Sequence, residues 1–378
     1  MKTLILNVGS ATIKYSVFEN KKLLKEGMEE RVIDFEKSFR KISGKIDRDI
    51  KTIVHRVVHG GNFESRVIDR KLMSELKKFS ELAPVHQANE IKIIELCGKI
   101  FPKARQIAVF DTAFHKTIPE KAAVYGIPYK FYKKGVRAYG FHGISCSSIA
   151  KKLKKSKIII CHFGNGCSVT AVKNGRSIDN SMGFTPLGGT VMGSRCGSID
   201  PSIIFYMMKH QKMKIEEVYE MLNSKSGLLG ISGISNDIRD ILKSKSKKAR
   251  LALDVFCYNA AKWIGAYAAV LDGVSAIVFT GGIGENNPEV RKKILEYFSH
   301  LGLKIDNEKN KRNERIISSN SSKVTVYIIP CDETREMLEE AETLGNHVSG
   351  ARKSEFPAQE IAKQFLCAPK TREFSSVV

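Results

Sequence analysis

The chain has 378 residues, 42% of them hydrophobic, and a formal net charge of +22. That length and apolar content suit two domains with ordinary cores. The eight cysteines include no Cys-x-x-Cys pair, which argues against zinc, and the basic runs at 151–155 and 244–248 carry no interleaved aromatics, which argues against a single-strand nucleic-acid face.

In chain order, Leu4-Ile5-Leu6 reads as a strand that breaks into the small-residue loop Asn7-Val8-Gly9-Ser10-Ala11-Thr12. Ile13 to Phe18 alternates as a second strand, and Glu19-Asn20-Lys21 turns the chain. Lys14 stands just after the loop, where its ammonium can reach a phosphate. Residues 29–50 read as charged α/β linkage. Val54 to Val58 is an apolar strand interrupted by Arg56, and a guanidinium in that setting demands either a counter-charge or a bound anion. Residues 70–102 are predicted helical with an interruption at Ala83-Pro84-Val85-His86. Gln106 to Phe110 is a strand that ends on Asp111, the position where ligands are met in open α/β sheets, although a helix N-cap would look the same. His142 lies between Phe141 and Gly143, and Ser147 or Ser148 is expected to cap the next helix.

The layout then recurs. Ile158-Ile159-Ile160 is a buried-type strand that breaks into Phe163-Gly164-Asn165-Gly166, resumes from Cys167 to Val172 and turns at Asn174-Gly175, a pair suited to positive φ. Glycines in such a loop let backbone N–H groups approach an anion closely, and they also simply turn a chain. Two similar hairpins half a chain apart suggest an internal duplication with a cleft between the halves. Residues 201–223 are predicted as one helix after Asp200-Pro201, and Asn236 to Asp240 is a polar cluster suited to a cap or a ligand edge. Leu251 to Leu271 is the longest apolar stretch, but it contains Asp254, Asn259 and Lys262 and its apolar residues follow helical spacing, so it reads as a core helix packed with Trp263. Ala276 to Thr280 is a buried strand that runs into Gly281-Gly282-Ile283-Gly284-Glu285-Asn286-Asn287 and a helix from Pro288, a layout for nucleotide at a helix N-terminus. It matches neither the P-loop nor the dinucleotide fingerprint. Val324 to Pro330 is a late strand followed by Asp332-Glu333, where a carboxylate can serve Mg²⁺. Residues 347–378 show weak periodicity and read as a loose tail. With Lys2 leading straight into a strand, a cytoplasmic protein with reduced cysteines is expected.

Taken together the motifs resemble the acetate kinase family. They are Asn7 to Lys14, His55 to Gly61, Phe110 to His115, Tyr139 to Gly143, His162 to Gly166, Met182 to Pro201, Phe279 to Asn286 and Asp332-Glu333, in the family's order over about residues 1–345. The resemblance implies a duplicated ribonuclease-H-like α/β fold of the actin and sugar kinase type. Residues 1–147 with 332–346 would form the acyl side, 148–331 the nucleotide side, and 347–378 a tail of unknown role. It implies a homodimer that moves a phosphoryl group reversibly between ATP and acetate, with Mg²⁺ or its substitute Mn²⁺. Asn7 and Glu333 would lie at the metal, and Asp111 would position metal and substrate. Ser10, Thr12 and Lys14 would line the first phosphate loop. Arg56 and Arg195 would bind carboxylate and phosphoryl group, and His142 would stabilise the group in transfer. His162, Phe163, Gly164, Asn165 and Gly166 would hold the ATP phosphates. Asp237, Ile238, Arg239, Gly282, Ile283, Gly284, Glu285 and Asn286 would hold the nucleoside. Val58, Val85, Phe141 and Pro186 would enclose the acetate methyl.

The chain departs from the family pattern at Ala11, at Cys146, at His86-Gln87-Ala88, at Ser198 and in its tail. These changes bear on acyl-chain preference and activity more than on fold. The alternatives are a propionate or butyrate kinase of the same family, or a non-catalytic relative that binds nucleotide or RNA.

Overall fold

A computed structural model describes residues 1–9, 11–80 and 84–346, and the side chains of residues 84–86, 345 and 346 are outside that description. The expectations for Ser10, for the Val85 side chain and for the tail at 347–378 therefore lie outside the described residues.

The described residues build two sheets. The first is six-stranded, with β1 (Lys2–Val8), β2 (Thr12–Glu19), β3 (Lys22–Glu30), β4 (Thr52–Val57), β5 (Arg66–Val67) and β6 (Arg105–Phe110) in the order β3-β2-β1-β4-β6-β5. The second is five-stranded, with β7 (Lys157–Phe163), β8 (Cys167–Lys173), β9 (Arg176–Asn180), β10 (Ala276–Thr280) and β11 (Thr325–Ile328) in the order β11-β10-β7-β8-β9. Read outward from β1 and from β7, the two orders are the same apart from β5, an extra antiparallel edge strand on β6. A strand pairs antiparallel with the next, which pairs antiparallel with a third, and two later strands add parallel on the other side. Even the turns correspond. Asn20 and Lys21 join β2 to β3 at φ 46° and 69°, and Asn174 and Gly175 join β8 to β9 at φ 52° and 76°. Both are two-residue turns with positive φ, which match the right-handed twist of a hairpin.

Helices cover both sheets, since the parallel pairs require crossovers. The long helix Lys247–Val270 buries Leu253, Phe256, Cys257, Ala260, Ile264 and Tyr267 against the second sheet, with Trp263 partly buried beside them. It starts earlier than its apolar run because Ser246 caps it, accepting from Lys248 N. The helix Gly143–Leu153 lies between the sheets. Ile144 packs with Ile5, Val54, Ile107 and Val109 of the first sheet and with Met337, Leu338 and Ala341 of the last helix, Glu333–Asn346. Cys146, Ile149 and Ala150 pack with Ile158, Ile160, Val172 and Val278 of the second. The chain division expected after residue 147 falls inside this helix.

Two local expectations are corrected. Ser147 and Ser148 do not cap the Gly143–Leu153 helix, which has already started four residues earlier, and Ser147 Oγ donates to Glu336 of the last helix at 2.7 Å. Residues 201–223 form two helices, Ser202–His210 and Ile215–Ser224, because Lys212 takes the left-handed conformation at φ 56° and breaks the run. Among the described residues no helix is long and apolar enough to cross a membrane.

His55, His59 and His115 are buried, and desolvation lowers each from 6.5 to about 4. They stay neutral in the fold, whereas the unfolded chain protonates them below pH 6.5. Stability should therefore fall as pH drops from 6.5 towards 4, by up to about 1.4 kcal/mol per pH unit for each group. Calorimetric melting across that window checks this, and a flat Tm would contradict it.

Candidate active site

The floor of the site comes from the C-terminal ends of three neighbouring parallel strands of the first sheet. Asn7 is near the end of β1, Arg56 near the end of β4, and Asp111 directly follows β6. Arg56 sets its fork on Asp111, with Nε to Oδ1 at 3.1 Å and Nη2 to Oδ2 at 2.6 Å. Its Nη1 donates to Asn7 Oδ1 at 3.1 Å. Asn7 Nδ2 in turn donates to Glu333 Oε2 at 2.8 Å, and that oxygen lies 3.9 Å from Arg56 Nε. The first half thus supplies the counter-charge that a buried arginine needs. Burial pushes the Asp111 carboxyl up to about 6, against the pull of Arg56, so it is ionised at neutral pH. Burial also opposes ionisation of Glu333, but Arg56, with the hydrogen bond from Asn7, outweighs it and holds the group below its ordinary value.

The second wall is built around His142. This residue sits at φ 59°, an uncommon conformation for a non-glycine side chain. The next residue explains why the position is held. Gly143 N donates to Asp111 O at 2.8 Å, and a Cβ on Gly143 would lie 2.2 Å from that oxygen. Only glycine allows so close an approach, and it fixes His142 beside Asp111. The His142 ring stacks on His162 at 4.1 Å, His142 Nδ1 pairs with Ser168 Oγ at 2.9 Å, and His162 Nδ1 pairs with Ser145 Oγ at 3.1 Å. Burial holds both imidazoles neutral: His142 falls well below 6.5, helped by His162, Arg56 and Arg195, and His162 falls to about 4.

Arg195 comes from the loop after β9 and reaches the same point. A Cβ on Gly166 would lie 3.3 Å from Arg195 Nη1 and 3.4 Å from His142 Nε2, so glycine there keeps the space between them clear. Nη1 also donates to Pro186 O at 3.1 Å. Among the described residues Arg195 has no carboxylate partner, unlike Arg56, and burial lowers its pKa. The structure therefore brings together Asn7, Arg56, Asp111, His142, His162, Gly166, Arg195 and Glu333.

Beside this cluster Val58 and Phe141 are buried in one apolar group, and Pro186 is half-buried. Sequence reasoning missed what holds Val58. From the helix Pro84–Ile100, Glu90 Oε2 accepts from Val58 N at 3.1 Å. From the same helix Gln87 takes both backbone groups of His59, N to Oε1 at 3.1 Å and O from Nε2 at 2.9 Å. Gln87 and Glu90 stand at i, i+3 among Ile91, Ile93 and Ile94, and polar residues at helical spacing inside an apolar face were the available signal. Burial pushes Glu90 up to about 8, opposed by Arg56, and its Oε1 has no partner.

The remaining positions divide by what their side chains can reach. Lys14 is exposed opposite Asn7 in the β1–β2 pairing, and its charge acts on Glu333. Thr12 closes the first loop, with Gly9 N donating to Thr12 O at 2.8 Å. The loops after β7 and β10 are neighbours, since Thr280 pairs with His162. Asn236 O and Asn165 Oδ1 both crowd Gly193, which joins the Asn236–Arg239 segment to the Gly164-Asn165-Gly166 loop. Asp237 caps the helix Ile238–Lys243 and pairs with Arg239. Gly282 faces open space, and Asn286 Nδ2 bonds Gly282 O at 3.0 Å. Phe163, Ile238 and Ile283 are core side chains that can offer only backbone, and the Glu285 carboxylate is spent on Gly281 N and Cys331 N.

A magnesium ion fits this chemistry. Mg²⁺ keeps several waters and binds through one or two carboxylates and substrate phosphates, and Glu333 with Asp111 supplies such oxygens beside Asn7. Among the described residues no group of three or more His, Cys, Asp or Glu forms a closed cage, as Mg²⁺ does not require one.

Comparison with solved structures gives the class. The fold matches that of an acetate kinase from Porphyromonas gingivalis with a TM-score of 0.82 at 33% identity, covering 91% of this chain and 99% of that one. It matches a propionate kinase from Francisella tularensis with a TM-score of 0.83 at 36% identity, covering 90% and 98%. The architecture is thus the two-sheet α/β fold of the actin and sugar kinase type. An acetate kinase from Caldanaerobacter subterraneus is 43% identical over 396 aligned positions, 91% of this chain and 99% of the relative. The acetokinase family model matches residues 35–339, and the chain belongs to that family.

Gly143→Ala should cost about 1–3 kcal/mol through overpacking against Asp111 O and displace His142. Denaturant titration together with a turnover assay checks this, and an unchanged variant would contradict the close-approach argument. Glu90 gives a second test with a defined sign. The folded chain keeps Glu90 protonated up to about pH 8 while the unfolded chain releases that proton above about 4.5, so Glu90 costs stability progressively between those values. Glu90→Gln should melt increasingly above the parent as pH rises from 5 to 8; a constant difference would show that Glu90 ionises normally.

Proposed function

We propose that the chain is an acetate kinase that transfers the γ-phosphoryl group of ATP to acetate, reversibly and in line, giving acetyl phosphate and ADP. One observation carries this reading: the uncompensated Arg195 of the second half lies beside His142 and Gly166, on the same cluster as Arg56 of the first half. An arginine without a carboxylate partner suits an anionic ligand, and its planar fork fits carboxylate or phosphate.

The acceptor needs little activation, because a carboxylate oxygen is already a nucleophile. What opposes the reaction is repulsion between two anions, so positioning and charge neutralisation dominate. Arg56, oriented by Asp111 and Asn7, holds the acetate carboxylate against Val58, Phe141 and Pro186. Arg195 holds the moving group from the other side. In the tautomer in which Ser168 donates to Nδ1, neutral His142 carries its proton on Nε2 and hydrogen-bonds an equatorial phosphoryl oxygen through it. The backbone of Phe163, Gly164, Asn165 and Gly166, with His162, cradles the β- and γ-phosphates; Thr12 and Lys14 face them from the first half. Asp237, Ile238 and Arg239 with Gly282 to Asn286 border the nucleoside. Mg²⁺, held by Glu333 and Asp111 beside Asn7, would offset charge on the β- and γ-oxygens.

In this reading residues 1–147 with 332–346 form the acyl-side domain and 148–331 the nucleotide-side domain. We also assign a homodimer. The Ser202–His210 helix buries none of its side chains in the monomer, and Phe205 is 70% exposed beside Ile203, Tyr206 and Met208. A second copy would cover that face. The described cysteines are all free, which suits the reducing cytoplasm. Propionate is the second acyl candidate, supported by the 36% identity to a propionate kinase.

A hydroxamate assay with ATP, Mg²⁺ and acetate, propionate or butyrate in turn should give the highest kcat/KM with acetate; a higher value for either longer acid would reassign the substrate. Arg56→Ala and Arg195→Ala should each lose on the order of 100-fold or more in turnover, in the range for removing a charge-stabilising donor; Arg195→Ala should melt near the parent, whereas Arg56→Ala should melt lower because it leaves Asp111 buried without its partner. Sedimentation should show a dimer that Phe205→Asp dissociates. A monomeric parent would contradict the assembly.

A further inference from the structure

The glycine loop after β10 and the turn that carries Glu333 come from distant stretches of chain, yet one carboxylate oxygen joins them. Glu285 Oε1 accepts from Gly281 N at 2.8 Å, where the loop begins, and from Cys331 N at 3.0 Å, two residues before Glu333. Thr280 Oγ1 lies 3.5 Å from the same oxygen. The loop is seated tightly at that end: Gly281 has φ 77°, and a Cβ there would lie 2.7 Å from Phe163 O. Its other end is anchored from behind by Arg291, which is wholly buried. Arg291 Nη1 donates to Gly284 O at 2.8 Å and to Glu285 O at 3.0 Å. Its remaining donors go to Asn310 Oδ1 and O, both at 2.8 Å, and to Asn313 Oδ1 at 2.6 Å. Among the described residues no carboxylate pairs with it. A buried guanidinium held only by carbonyl and amide oxygens is an expensive way to add stability, so its value lies in fixing geometry.

We propose that Glu285 is a positioning residue that locks the nucleotide loop to the Glu333 turn, with Arg291 as the anchor behind it. The proposal rests on the nucleotide and metal assignments above. A metal-bound nucleotide must meet the loop with its nucleoside and the Glu333 side with its phosphates. The distance between those two surfaces is set by the Glu285 oxygen, because Gly281 N and Cys331 N share it. A brace of this kind affects binding of the metal–nucleotide complex and leaves the acyl pocket at Val58 and Phe141 untouched. It also couples metal and nucleotide: each binds better when the other is present, by the same factor.

The test is calorimetric titration of the full chain with ATP, with and without Mg²⁺, alongside KM for ATP and for acetate. Glu285→Ala should weaken MgATP binding about tenfold, equivalent to about 1.4 kcal/mol. It should raise the ATP KM similarly, reduce the gain in ATP affinity that Mg²⁺ brings, and leave the acetate KM within about twofold. Glu285→Gln keeps an oxygen that can accept both N–H groups and should recover to within about threefold of the parent. Glu285→Asp keeps the charge but falls short of spanning both amides, so it should lose MgATP affinity even if the alanine variant does not fold. Parent-like MgATP binding by Glu285→Ala or Glu285→Asp would overturn the proposal. So would equal weakening of ATP and acetate accompanied by a lowered Tm. A parent protein that binds no ATP at all would instead refute the nucleotide assignment.

Discussion

The site depends on one buried ion pair. Arg56 is only 14% exposed and Asp111 only 1%, and neither would be tolerated there alone. Their two-pronged contact satisfies both charges and leaves Arg56 Nη1 for Asn7, whose amide then orients Glu333. Ion pairs at such depth contribute little net stability compared with an apolar pair of similar volume. What this one provides is a guanidinium held in one orientation at the end of a strand, next to a carboxylate that has already been placed. Asp111 does further service through its backbone: its carbonyl receives Gly143 N and so sets the start of the helix that carries His142.

The two halves share a strand order, and each contributes residues from the same end of its parallel strands. Asn7, Arg56 and Asp111 come from the ends of β1, β4 and β6; His162, Gly281 and Cys331 come from the ends of β7, β10 and β11. The placement follows from the geometry of parallel sheets, where loops at the carboxyl ends open a crevice. A duplicated sheet brings two such crevices, and the Gly143–Leu153 helix, packed on both sheets, joins them. Glu336 strengthens that junction, since it is buried and accepts from Ser147 and Lys151 of this helix. Cationic side chains from both halves consequently face a common space, the arrangement that two mutually repelling anions require.

Much of this was legible from residue order. Ile158 to Ile160 and Leu4 to Leu6 announced buried strands, and Asn174-Gly175 announced a hairpin, because local sterics decide those features. Arg56 inside an apolar strand announced a partner, because desolvation leaves no other option, and Asp111 was already marked at the end of its own strand. What stayed hidden was tertiary. The spacing of Gln87 and Glu90 marked polar groups in an apolar helix face but not their partners, the backbone of Val58 and His59, and nothing local told that Ser168 would hold the His142 ring. Glu285 sat in a nucleotide-type motif, yet its carboxylate turned inward to Cys331 N, a partner set only when the second sheet is assembled. The break at Lys212 carried no glycine or proline to mark it.

The most direct test of converging charge is a crystal structure of the protein with Mg²⁺, ADP, acetate and aluminium fluoride, a planar stand-in for the phosphoryl group in flight. The account predicts the fluoride plane between ADP and acetate, touched by Arg56, His142 and Arg195 together. A plane bound away from any of the three, or acetate seated on the far side of the Arg56–Asp111 pair, would contradict it.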